Sequence, residues 1–289
     1  MTISAVIFGR NDNYGGNLNE RATYCFNSAI DTYDEVIYVD WNSETHSLLY
    51  DIKDNINFKG NFKHIVIPPS AALSLTGGDP NAQKCCEVLA RNIGLRRATG
   101  DWLLATNIDL IHPKRPELDH ILSTSGENTF FTISRRNTTW DQIKEFHNGE
   151  IPFNKWESLR DYLIETSEER HREEKISDGD DYSLINCCGD FQIAPRHIWE
   201  DIRGFEEDLI YTLYADTNTQ KKAVMHGYQL KALYNPAFFH IDHGPGGGGL
   251  ISGINKVPND RYRAIGYQQR TENLETWGFS DIDIEYEVF

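Results

Sequence analysis

Much that usually identifies a protein is missing from this chain, and each absence removes a class of function. No apolar run approaches the ~18 residues of a membrane-spanning helix. The opening MTISAVIFGR is too short for a signal peptide, so a soluble, cytoplasmic protein is expected. Five cysteines, at 25, 85, 86, 187 and 188, make two adjacent pairs and an odd total with no CxxC spacing. That pattern excludes a secreted disulfide framework and a cysteine-rich zinc module, and fits a reducing compartment. Positive charge is scarce: 28 Lys and Arg stand against 44 Asp and Glu, a formal net charge of −16. Such a balance repels nucleic acid and anionic membranes. An anionic ligand therefore needs local help from a metal ion, helix N-termini or a few arginines. The turn after the first apolar run, GRNDNYGGN, contains neither GxGxxG nor GxxxxGK[ST], which disfavours dinucleotide oxidoreductases and P-loop enzymes. The one dense glycine run, GPGGGG at 244–249, precedes no helical pattern. It reads as a connector or as a mobile loop that closes over a ligand.

What is present is an alternation of two periods. A hydrophobic content of 39% over 289 residues is enough for a core, in one large α/β domain or two small ones. ISAVIFG (3–9), EVIYVDW (35–41), HIVIP (64–68) and DWLLATNID (101–109) read as strands. Between them lie a helix from Asn17, with Asn17 as its cap and Glu20 three residues on, a weaker helix over 43–56 and a long one over 80–98. This rhythm means βαβ units and a parallel sheet. After residue 110 the rhythm changes. Strands are expected over 129–137, 182–194, 228–234 and 237–243, helices around 196–203 and 214–226, and a charged helix or lid over 154–175. No repeat or linker is visible. The expectation is a single domain over 1–289, with a ligand-binding half (1–112), a catalytic half (113–243), and a glycine-rich loop and tail (244–289).

In parallel sheets ligands bind beyond the carboxyl ends of the strands. Asp12 follows the first strand, Asp40 ends the second, and Asn107 and Asp109 end the fourth. Polar groups at three strand ends point to one crevice. Strand alternation would aim Asn107 and Asp109 the same way, either as a polar strand end before Pro113 or as oxygen ligands. Near the other end of the chain His240, Asp242 and His243 crowd together. Alternation puts His240 and Asp242 on one face and turns His243 away, while a zinc site made from all three stays open. Asp40 is a ligand contact or an ordinary strand-end aspartate. Arg91 and Asn92 are a solvated helix face or part of the site.

The ordered motifs resemble glycosyltransferases of the GT-A fold, especially those like family 2, over most of residues 3–243. EVIYVDWNS is similar to that family's second strand, whose terminal aspartate reads the nucleotide base. ARNIGLRRATGDWLLATNIDL resembles its helix, Gly-Asp pair and DxD strand. GDFQIAPRHIWEDIRGFEED resembles the acceptor-side strand, helix and Gly-Phe turn. Ala215-Asp216 stands where the family carries Glu-Asp, and Phe239-His240 corresponds to a late histidine that completes a metal site. Asn107 and Ala215 depart from the pattern, each replacing the first acid of a pair.

The resemblance implies a Rossmann-like, mostly parallel sheet flanked by helices. It also implies a UDP- or GDP-linked sugar donor, a glycan or other hydroxyl acceptor, and Mn²⁺ or Mg²⁺ held by Asp109 with His240 or His243. Donor contacts are expected from Gly9, Arg10, Asp12, Asp40, Asn42, Arg91, Asn92, Asn107 and Asp109. Asp216 is the implied base for an inverting displacement, and Asp190 is its competitor. The competing readings are a sugar-1-phosphate nucleotidyltransferase, which GRNDNYGGN fits poorly, and a degenerate nucleotide-sugar or glycan-binding module.

Overall fold

A computed structural model describes residues 1–79, 82–133, 135–149, 153–166, 175–176, 189–210, 215–243 and 273–289. The expected strand residues 182–188, including Asn186, Cys187 and Cys188, lie outside the described residues. So do the glycine run at 244–249, residues 167–174 of the charged stretch, and residues 80 and 81.

The first half follows the expected order. Strand β1 (Ile3–Gly9) leads to helix α1 (Leu18–Thr32), then β2 (Glu35–Trp41), the short α2 (Leu48–Ile52) and β3 (Asn61–Ile67). Next come α3 (Pro69–Leu75), α4 (Glu87–Arg97) and β4 (Trp102–Thr106). Strands β1, β2, β3 and β4 pair in parallel, with β1 between β2 and β4. Both faces of this sheet are covered, which is why its strands are apolar almost throughout. Val6, Ile37 and Leu103 pack with Leu89 and Ile93 of α4. Ala5, Ile7 and Tyr38 pack on the opposite face with Ala22 and Phe26 of α1. Each fully buried large apolar side chain contributes about 1.5–3 kcal/mol. Gly94 lets α4 lie directly on β1, because a Cβ at residue 94 would overlap the Val6 side chain.

Three boundaries differ from expectation. Asn17 sits at φ 51° and caps nothing; the Leu18 N–H donates to Asn13 Oδ1 instead, at 3.2 Å. Helix α4 begins at Glu87, leaving residues 82–86 as connecting chain beside the β2 end. Strand β4 stops at Thr106, so Asn107 and Asp109 are not placed by strand alternation.

The second half supplies β5 (Leu110–Ile111), α5 (Arg115–Thr124), β6 (Thr129–Ile133), β7 (Arg136–Thr139), α6 (Trp140–Phe146), α7 (Trp156–Thr166) and β8 (Lys175–Ile176). It continues with β9 (Phe191–Pro195), α8 (Arg196–Asp201), α9 (Ala215–Met225), β10 (Gln229–Leu233) and β11 (Phe239–Asp242), and β12 (Tyr286–Val288) follows near the end of the chain. The central sheet runs β12-β3-β2-β1-β4-β9-β6-β10-β8. Strands β1–β4, β6 and β10 point one way, and β8, β9 and β12 the other. The fold is thus mixed α/β with a large, mostly parallel central sheet flanked by helices.

A second, three-stranded sheet in the order β5-β11-β7 is decisive for the site. Antiparallel pairing sets His240 against Leu110, and the Ile241 N–H donates to the Asp109 carbonyl at 2.9 Å. The late histidine is delivered to the end of β4 by backbone register.

Candidate active site

The order 3-2-1-4 reverses direction between β1 and β4, and at such a switch point the loops leave the sheet in opposite directions and open a crevice. A cavity of about 110 Å³ lies there. Gly9, Arg10 and Asp12 line it from β1, Asn107 and Asp109 from β4, and Glu87 from the start of α4.

Asp109 is the most heavily engaged residue of the site and only 1% exposed. Its Oδ2 lies 2.5 Å from the Tyr14 hydroxyl, 3.0 Å from His243 Nε2, 3.3 Å from Arg21 Nη1 and 3.7 Å from His240 Nε2. Burial alone would raise this carboxyl. The nearby His240 imidazole, the His243 hydrogen bond and the Tyr14 hydroxyl outweigh burial and hold it well below the usual carboxylate range. Burial, together with the Asp109 charge, keeps Tyr14 a neutral phenol. Arg21 stacks on the Tyr14 ring at 4.9 Å.

Asp109, His240 and His243 each offer a ligand atom within 4.8 Å of the others, forming a candidate metal centre. Strand alternation turns His243 away, but β11 ends at Asp242 and the chain bends His243 back towards Asp109. One carboxylate with two imidazoles suits a divalent transition metal. Mg²⁺ prefers oxygen donors in a near-ideal octahedron and fits this set less well. Asp109 Oδ1 and His240 Nδ1 are buried without a hydrogen-bond partner among the described residues, so polar capacity is left over for a bound group. Asp242 is exposed and is not among the clustered ligands.

Asn107 faces a different neighbourhood. Its Oδ1 accepts from Arg91 Nη2 at 2.7 Å and its Nδ2 donates to Asp190 Oδ1 at 2.8 Å. Arg135 Nη1 donates to the other Asp190 oxygen at 2.5 Å. An aspartate at 107 would bring two like charges together at hydrogen-bond distance, so asparagine here links Arg91 to Asp190. Arg91 is buried between the rings of Phe8 and Phe205, which removes the solvated-face alternative.

Asp216 opens α9, and its Oδ1 accepts from the Thr217 N–H at 2.9 Å. A Cβ at Gly189 would overlap the Asp216 carboxylate, so that carboxylate rests against the backbone just before Asp190. Burial raises the Asp216 carboxyl, the Thr217 N–H and Arg91 oppose it, and the Asp190 charge adds to it. Burial lifts Glu87 to about 7, with Arg91 opposing and Asp216 and Asp190 adding. Glu87 and Asp216 thus both lean on the positive charge of Arg91, while Asp190 is paired with Arg135.

Other expected site residues are occupied elsewhere. Asp40 is fully buried, and its Oδ2 accepts from the Tyr38 and Ser47 hydroxyls at 2.9 and 2.8 Å and from the Leu48 N–H at 3.0 Å. It holds the start of α2 and does not line the cavity. Asn92 donates to the Phe205 carbonyl and Glu207 and accepts from the Phe205 N–H, at 2.8, 3.0 and 2.8 Å. It pins the turn after α8 to α4, away from the cavity. Asn42 donates to the Lys84 carbonyl at 2.8 Å, and its own carbonyl accepts from Arg10 Nε at 2.8 Å. Arg10 is further paired with Asp12 at 3.2 Å and Glu44 at 2.8 Å. Tyr14, Arg21, Glu87 and Gln83 were not singled out by sequence reasoning. Glu20 beside Arg21 drew the helix-cap reading, and the other three carry no motif.

No protein-family model matches the chain, and no curated protein matches it. Among solved structures it is similar to TarS from S. aureus, residues 1–349, with 17% identity and a TM-score of 0.49, covering 83% of this chain and 60% of that one. It is also similar to the mannosyltransferase PcManGT from Pyrobaculum calidifontis, in complex with GDP-Man and Mn²⁺, with 17% identity and a TM-score of 0.48, covering 86% of this chain and 58% of that one. The chain therefore spans less than two thirds of the length of either structure.

Proposed function

We propose that the protein is a GT-A-type glycosyltransferase that moves a sugar from a nucleoside-diphosphate sugar to a hydroxyl of a glycan or similar acceptor. The observation that carries this reading is the Asp109, His240 and His243 cluster at the β1/β4 switch point, where Asp109 lines the same cavity as Asp12 and Glu87. A net charge of −16 makes a diphosphate an unlikely guest unless positive charge is supplied locally. Asp109, His240 and His243 would hold a divalent cation such as Mn²⁺. When bound, it supplies charge that stabilises the departing diphosphate.

The chain's own residues do the rest. Arg21 and Tyr14 orient the Asp109 carboxylate. Asn107, itself held by Arg91, and Arg135 each donate to one oxygen of Asp190; this fixed carboxylate is suited to positioning an acceptor hydroxyl. Asp216 carries a raised carboxyl, as a base working near neutrality requires. It removes the acceptor proton as the hydroxyl attacks the sugar carbon opposite the diphosphate, which inverts that centre.

Asp216→Asn is expected to lower transfer by about 100- to 10,000-fold, while binding of UDP or GDP, followed by calorimetry with Mn²⁺, persists. Near-normal turnover in that variant would remove Asp216 as the base. A nucleotide-sugar or glycan-binding module is the second reading, favoured by the Arg21 guanidinium already paired with Asp109. Slow donor hydrolysis in the presence of Mn²⁺ distinguishes enzyme from binder.

A further inference from the structure

Gln83 is 4% exposed, and neither its side-chain oxygen nor its nitrogen has a hydrogen-bond partner among the described residues. An amide buried in this way is costly unless something else satisfies it. Gln83 lines the cavity at the switch point, so whatever fills the cavity is what the amide meets. Its backbone is held: the Gln83 N–H donates to the Ile210 carbonyl at 2.9 Å, and the next carbonyl, that of Lys84, accepts from Asn42 at 2.8 Å. Asn42 directly follows β2, and β1 lies between β2 and β4. The Gln83 segment and Asp109 therefore flank the β1 end from opposite sides.

We infer that Gln83 is a specificity-determining residue that reads the base of a nucleoside diphosphate through its side-chain amide. This rests on the reading of the cleft as a nucleotide-sugar site. With the diphosphate at Asp109, the nucleoside extends past the β1 end towards Gln83. The amide presents an acceptor and a donor side by side in one plane. Uracil and guanine each present an N–H beside a carbonyl, the matching pair. Asp40, the base reader implied by the sequence, has its Oδ2 committed to three donors and only Oδ1 left over, and it does not line the cavity, whereas Gln83 lines it with both ends of its amide available.

The test is calorimetry on the full chain with Mn²⁺, titrating UDP, GDP and inorganic pyrophosphate into wild type, Gln83→Met and Gln83→Glu, with melting temperatures of the ligand-free proteins. Gln83→Met is expected to weaken the nucleoside diphosphate that wild type binds by about tenfold and to leave pyrophosphate unchanged. It should also raise the ligand-free melting temperature, because a buried unpaired amide is gone. Gln83→Glu, lacking the N–H donor, should weaken the nucleotide at least as much. Unchanged nucleotide affinity in Gln83→Met, or an equal loss for pyrophosphate, overturns the role of Gln83 alone. Failure of wild type to bind either nucleoside diphosphate overturns the donor reading and this inference together.

Discussion

The two sides of the cleft are built on opposite principles. At the β4 side a single oxygen, Asp109 Oδ2, is approached by a phenol, a guanidinium and two imidazoles. At the β2 side a buried amide, Gln83, has no partner among the described residues. The first side is organised before any ligand arrives, and its charges are held in place by one another. The second holds an amide with neither end satisfied among the described residues, whereas the first leaves only Asp109 Oδ1 and His240 Nδ1 over. A preorganised charge site gives strength of binding, and an unsatisfied hydrogen-bonding group gives discrimination.

The largest expected effect comes from breaking the crowded side. Asp109→Ala leaves Arg21 buried without its carboxylate and should cost about 3–5 kcal/mol in urea unfolding. It should also abolish any Mn²⁺-dependent rise in melting temperature. If the cost is below about 1 kcal/mol, the cluster is not the electrostatic anchor described above. A smaller effect of opposite sign on metal binding is expected from Arg21→Met, which removes a cation that competes for Asp109 Oδ2. Mn²⁺ affinity, read by calorimetry, should rise roughly tenfold, a change of ~1.4 kcal/mol. Unchanged or weaker Mn²⁺ binding would mean that Arg21 supports the metal geometry rather than competing with it.

A pH-dependent effect sharpens the comparison at the mouth of α4. Glu87 titrates at about 7 in the folded chain against an ordinary 4.5. Between these values the folded chain keeps a proton that the unfolded chain has released, so Glu87 lowers stability as pH rises from about 4.5 to about 7. Above that window the full cost persists. Glu87→Gln should therefore melt higher than wild type at pH 8, by about 2–4 °C per ~1 kcal/mol recovered. The two proteins should converge near pH 4. A constant offset across that range would assign the gain to packing instead of charge.

The parallel half of the fold was legible because a strand covered on both faces must be apolar, and ISAVIFG and EVIYVDW are. The end of β4 was not, because Asn107 and Asp109 lie in the turn between β4 and β5, and β5 joins a small sheet whose central strand comes from late in the chain. The pairing of Asp109 with a late histidine was readable from the order of motifs. His243 was a candidate from its crowding with His240, although strand alternation turned it away; alternation fails once β11 ends at Asp242. Asn92 and Asp40 carry recognisable motif positions, yet the structure uses them to tie segments together. Motif position is visible in sequence, whereas the partner of a side chain depends on long-range register.

That register also sets when the site comes into being. Asp109 and His243 are separated by 134 positions, and they meet because β11 pairs beside β5 and β7. Closing so long a loop is slow compared with forming the local βαβ units. A cation held by Asp109, His240 and His243 would therefore bind only after β11 has docked. A Mn²⁺ signal recorded during refolding would report the docking of β11 rather than the assembly of the parallel sheet.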